Sequence, residues 1–158
     1  MLKQILNLQL VVLLLLGSAV PALALDRFAD QGNGSVWDNY SKLRWIKDPN
    51  VVPALSGEKS WADASQACAE LVYAGKGPAT WRLPRIQELK ELIDENFSNP
   101  QINTNFFSAE GSHYWSKTPY RPGVKAWTVN FKNGALGSRD KFSADNSAVA
   151  LVRCVSRS

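Results

Sequence analysis

Apolar and polar positions change rhythm three times along this chain. From Arg27 to Ile46 they alternate in short runs: Arg27-Phe28-Ala29-Asp30, Val36 to Asn39, and Leu43-Arg44-Trp45-Ile46. Period two predicts three half-buried strands. Asn33-Gly34 predicts a two-residue hairpin turn between the first two, since both positions tolerate positive φ. Asp48 to Gly57, punctuated by Pro49 and Pro53, reads as a loop. The spacing then becomes helical. Ser60 is a good N-cap with Asp63 three residues on, and Trp61, Ala64, Cys68, Leu71 and Val72 fall on one face. Gly75 and Gly77 stop that helix. Trp81-Arg82-Leu83-Pro84 follows, with two apolar side chains on one side of a short extended piece and a helix-starting proline behind them. A second helix is expected to about Asn96, burying Ile86, Leu89, Leu92 and Ile93 and leaving Glu88, Lys90 and Glu91 wet.

After an irregular connection over Ser98 to Asn105, which Phe106 and Phe107 anchor to the core, the pattern returns to β. His113 to Lys117 is one strand. Lys125 to Phe131 is another, with Trp127, Val129 and Phe131 on one face. Asn133-Gly134 signals a second hairpin, with Ala135 to Ser138 as the return arm. Ala148 to Val155, apolar on both faces as far as Arg153, predicts one central strand that carries Cys154. The class is α+β: two helices packed on antiparallel sheets.

Composition refines this. Residues 1–24 read as a signal peptide: Lys3, a mostly apolar stretch from Ile5 to Leu16, and an Ala22-Leu23-Ala24 processing site. The apolar stretch is short for a bilayer span, and no later run is longer. A single domain over residues 25–158 is expected outside the cytoplasm, either secreted or periplasmic. Cys68 and Cys154 are the only cysteines. In an oxidising compartment they pair, closing a loop of about 86 residues. Charge is uneven. Residues 25–110 hold 9 Lys/Arg against 12 Asp/Glu, and residues 111–158 hold 8 against 2, so −3 is followed by +6. A basic C-terminal third on an exported domain points to a polyanionic partner.

Candidate chemistry thins out quickly. His113 is the only histidine, and no nucleophile-elbow sequence accompanies it. Glu88 and Glu91, three apart on a polar helix face, read as solvated charges and not as a glycosidase pair. No catalytic constellation passes its first check, so the chain reads as non-enzymatic, with no cofactor. Without Cys-x-x-Cys or His-Glu-x-x-His, a metal centre is not expected. The cluster of Asp30, Asn33, Ser35 and Asp38 is explained by turn chemistry. Asp140, Asp145 and Asn146 are the remaining oxygen ligands that calcium could use. Asn33, Asn39 and Asn96 open Asn-x-Ser sites, relevant only to a glycosylating host. Arg82 and Arg153 sit inside apolar motifs and are assigned structural pairing with carboxylates or carbonyls.

Several stretches together resemble a known family. They are Arg27-Phe28-x-Asp30-x-Gly32-x-Gly34-x-Val36-x-Asp38-Asn39, Leu43-x-Trp45, Trp81-Arg82-Leu83-Pro84 with Glu88-Leu89, Tyr114-Trp115-Ser116, Ala126-Trp127-x-Val129-x-Phe131-x-x-Gly134 and Val152-Arg153-Cys154-Val155. This set is similar to the Lcl-type C-terminal domain, a bacterial domain family first catalogued without a function and named from a collagen-like adhesin of Legionella. The likeness covers essentially all of residues 25–158. The pattern is departed from at two places: Ser41-Lys42 stands where Thr-Gly is usual, and Lys117 where a second Ser is. The collagen-like stalk is missing. The resemblance implies a C-type-lectin-like fold, in which a cysteine on the first helix pairs with one on the last strand, and a ligand among sulfated glycans.

The expected binding residues are Lys117, Tyr120, Arg121, Lys125, Lys132, Arg139 and Lys141, in or beside loops between the last strands. Lys and Arg suit sulfate or carboxylate, and Tyr120 suits a sugar ring. Lys117 and Lys125 could instead only protect an edge strand. Nucleic acid would satisfy the same charge, but export makes it a poor partner. The competing expectation is an envelope protein–protein or structural module using an aromatic surface. The oligomeric state is not legible.

Overall fold

The computed structural model describes residues 26–121, 123–142 and 148–157. The expected signal peptide, Asp145 and Asn146 lie outside the described residues. Among the described residues, ten strands form three antiparallel sheets, accompanied by two α-helices. The largest runs β1-β2-β3-β10-β5, from Phe28–Asp30, Ser35–Asp38, Leu43–Ile46, Val155–Arg157 and Trp81–Arg82. The last strand is thus inserted between β3 and β5, pairing Val155 with both Trp45 and Arg82. A second sheet joins β4 (Lys59–Ser60) to β9 (Val149–Ala150), and a third runs β6 (His113–Arg121), β7 (Lys125–Asn130), β8 (Ala135–Asp140).

Alternation along these strands builds two cores. Trp45, Val36 and Val155 face one way and pack with Phe28, Phe107, Tyr114, Val129, Phe131 and the helix α2 (Ile86–Lys90). Ile46 and Trp81 face the other way and pack with Trp115, Ala150, Val152 and the helix α1 (Trp61–Glu70). Cys68 on α1 and Cys154 are bonded, both fully buried, with Cα atoms 5.6 Å apart. The Ser60 cap is as expected, accepting from the Asp63 N–H at 3.1 Å.

Several expectations are corrected. The β1–β2 connection is not a two-residue turn: Asp30 pairs with Val36, and Gln31 N–H reaches Ser35 O across a wider loop in which Gly32 and Gly34, not Asn33, take positive φ. Asp30 and Asn33 side chains accept from the N–H groups of Gly32 and Ser35, which is turn chemistry. The β7–β8 turn likewise spans four residues, since Asn130 pairs with Ala135. Helix α1 ends at Glu70, before the glycines, and Val72 is 70% exposed instead of buried. Helix α2 is five residues long and does not reach Asn96. There the chain leaves the helix because Ile93 bridges Ile102 and Asp94 N–H donates to Gln101 O, tertiary bonds that replace the next turn. The expected central strand over 148–155 is two strands in different sheets. Leu151 bridges to Tyr114 between them, and Cys154 precedes β10 instead of lying on it. Asn99-Pro100 is a cis peptide.

Candidate functional site

Strand β6 controls the site. Trp115 pairs with Thr128 and Pro119 with Ala126, so the three residues between them on β6 oppose one on β7. Proline has no N–H for the ladder, which favours such a bulge. The Ser116 hydroxyl stabilises it, donating to Trp127 O at 2.8 Å and accepting from the Thr118 N–H. The bulge pushes Lys117 and Thr118 toward the β5–α2 connection. Lys117 N–H donates to Pro84 O at 2.8 Å, and the Thr118 hydroxyl accepts from Ile86 N–H at 2.9 Å.

On one side of the bulge lies a crowd of cations. Arg82 grips Glu88 with two bonds of 2.7 Å, and Arg85 N–H takes the same carboxylate at 2.7 Å. Glu88 is therefore half-buried and committed, not the solvated charge expected of it. Burial alone would raise its pKa, but the Arg82 guanidinium and Arg85 N–H hold it below the usual carboxylate value. Lys117 lies within electrostatic reach of Arg82, Arg85 and Arg157, and none of Lys117, Arg85 and Arg157 has an ion-pair partner among the described residues. Partial desolvation, then the charges of Arg82 and Arg85, hold the Lys117 ammonium below its ordinary pKa; Glu88 opposes them, and Arg157 adds a smaller lowering effect.

Past the bulge, Tyr120 stands edge-on to Trp127, ring centres 4.7 Å apart, with the Arg121 guanidinium 5.9 Å from the Tyr120 ring. Arg121 pairs across the hairpin with Lys125, and Lys125 with Asp140 on the far strand. Tyr120, Arg121 and Lys125 thus share one end of the sheet. The other expected residues do not join them. Lys132 lies in the turn at the opposite end of β7. Arg139 sits opposite Ala126, on the strand face that bears Thr128 and His113. Lys141 places its ammonium 4.8 Å over the Trp61 ring and 5.5 Å from that of Phe142.

The remaining candidates are also accounted for. His113 Nδ1 meets the Thr128 hydroxyl at 3.0 Å, and burial followed by the Arg139 charge lowers its pKa. Asp140 accepts from Phe142 N–H at 2.9 Å. Arg153 is fully buried and donates to the carbonyls of Ile46, Lys47 and Ser108, the structural role expected of it. Arg85 and Arg157 were not singled out as site residues. Their only signal in the sequence is positive charge, and the bulge and the insertion of β10 beside β5 are what bring them to Lys117.

An α+β domain of antiparallel sheets, stapled from its first helix to the segment before its last strand, is the class these features define. The chain belongs to the Lcl C-terminal domain family, whose model matches residues 34–156. No curated protein matches it in sequence.

Proposed function

We propose that the domain is an exported, non-enzymatic binding module that recognises acidic glycans, sulfated ones among them, in adhesion, and that its fold is C-type-lectin-like. One observation carries the reading: the charges of Arg82, Arg85 and Arg157 all bear on Lys117, while the Glu88 carboxylate beside them is already spent on Arg82. Like charges held close are costly unless an anion joins them, and guanidinium groups take sulfate or carboxylate in two-pronged bonds. The buried disulfide and family membership fit an oxidising compartment outside the cytoplasm. Tyr120, Arg121 and Lys125 extend the same binding surface beyond the bulge.

Heparin chromatography tests this. The wild-type domain is expected to elute at raised salt. Arg85→Ala, Lys117→Ala and Arg157→Ala together should move elution clearly lower, whereas Lys132→Ala should shift it little. Elution of the wild type at very low salt, or a triple variant that elutes with it, removes the proposal.

A second reading rests on a different surface. Val52, Pro53, Ala54, Leu71 and Val72 line an apolar groove of about 470 Å³. Such a surface suits a protein partner in the envelope. Capture from envelope extract that survives high salt and is lost in Val72→Asp would favour it.

A further inference from the structure

A slot opens beside Thr118, between α2 and strands β7 and β8. Ile86, Gln87, Lys90, Thr118, Trp127 and Leu136 line its volume of about 270 Å³. Its character is mixed in a specific way. One wall is apolar: Trp127 is half-buried, and Leu136 is 44% exposed although it sits mid-strand opposite Val129. Tyr120 braces Trp127 edge-on from outside, which fixes the indole in place. The opposite rim is polar, with the Gln87 amide and the Lys90 ammonium one turn apart on α2. Lys90 has no ion-pair partner among the described residues. The indole N–H groups of Trp61, Trp81 and Trp115 each donate to a backbone carbonyl; that of Trp127, like that of the buried Trp45, has no partner among the described residues.

A flat apolar wall facing a donor-rich rim with one cation matches a sugar ring. A pyranose has a face of C–H groups, which packs on aromatic and aliphatic surface, and an edge of oxygens, which accepts from amide, indole and ammonium donors. The volume lies just under the range of about 300–1,000 Å³ typical of drug-sized ligands, so it suits a single ring. Lys90 favours a ring with its own negative charge.

We propose that this slot is a ring subsite, seating one pyranose that itself carries an acidic group, uronate or sulfate, against Trp127 and Leu136. The inference rests on the glycan-binding reading above and adds to it a place and a chemistry that the cation crowd does not contain. The crowd supplies charge, whereas the slot reads the shape of the ring.

The test is an NMR titration of the intact domain with three tetrasaccharides: galacturonate tetramer, a carrageenan-type sulfated tetramer without uronate, and neutral cellotetraose. The Trp127 indole N–H is assigned from Trp127→Phe and the Leu136 methyls from Leu136→Ala. At least one acidic tetramer should shift both signals with a single saturating curve, and cellotetraose should bind much more weakly. Whichever acidic tetramer does so tells uronate from sulfate. Leu136→Glu, at an exposed position that leaves the core intact, should loosen the Kd by about tenfold. Arg85→Ala with Lys117→Ala should weaken binding in a salt-dependent way yet leave the Trp127 and Leu136 shifts in place at saturation. Acidic tetramers that bind without moving either signal overturn the subsite while the glycan reading stands. No binding by any acidic tetramer, together with no retention on heparin, overturns both. Equal binding of cellotetraose overturns the role given to Lys90.

Discussion

Arg153→Met asks how much a buried cation held mainly by backbone carbonyls contributes. Arg153 is fully buried, donates to Ile46 O, to Lys47 O at 2.9 Å and to Ser108 O, and lies 5.3 and 5.8 Å from the Phe107 and Tyr114 rings. Those bonds tie β3, the connection after α2 and the segment before β10 to one side chain. Hydrogen bonds to a charged group contribute roughly 1.5–3 kcal/mol each, so three amount to about 5–9 kcal/mol gross. Removing the guanidinium returns several kcal/mol of desolvation, and methionine refills most of the volume. The expected net loss is about 2–4 kcal/mol, a large share of the roughly 5–15 kcal/mol of a typical domain. Urea unfolding followed by tryptophan fluorescence, disulfide intact, should show it as a midpoint lowered by about 1–2 M. Arg153→Lys should fall between, since one ammonium cannot reach three diverging carbonyls as a planar fork does. A methionine variant within about 1 kcal/mol of wild type, or more stable, would refute the reasoning and make burial of the charge a net cost.

Two further outcomes follow from the same structure. Reducing the Cys68–Cys154 bond, which spans 86 residues, should lower stability by about 4–5 kcal/mol in the chain-entropy account, measured as urea midpoints with and without reductant. A cost under about 1 kcal/mol would mean the reduced unfolded chain is already constrained. The second concerns His113, whose folded pKa lies below its ordinary 6.5 because of burial and Arg139. The unfolded chain therefore takes up this proton first as pH falls. The stability due to neutral His113 is complete above about pH 6.5 and declines below it, towards the folded pKa. His113→Gln should flatten Tm against pH between about 7 and 5; an unchanged slope assigns it to other groups.

The chain's own pattern determined more of the architecture than of the site. Local signals sufficed where one residue type does one thing. Period two gave β1 to β3, Ser60 marked the start of α1, and the two cysteines, expected to pair, form a bond that is present. Local signals failed where a long-range partner overrides them. Ile93 looks helical but bridges Ile102, which ends α2 early. Ala148 to Val155 looks like one strand, but its two ends are recruited by different sheets. Glu88 looks solvated until Arg82, six positions back, takes both its oxygens. The cationic third of the chain was legible as charge and not as a patch, because position on a sheet depends on register. A two-residue excess in β6 sends Lys117 to Arg85 and Arg157, and ordinary pairing sends Arg139 and Lys132 elsewhere. The sequence by itself determined which groups exist and which segments must bury a face. Only the tertiary structure decided which groups meet, because the hydrogen bonds that set bulge, register and strand order join residues tens of positions apart.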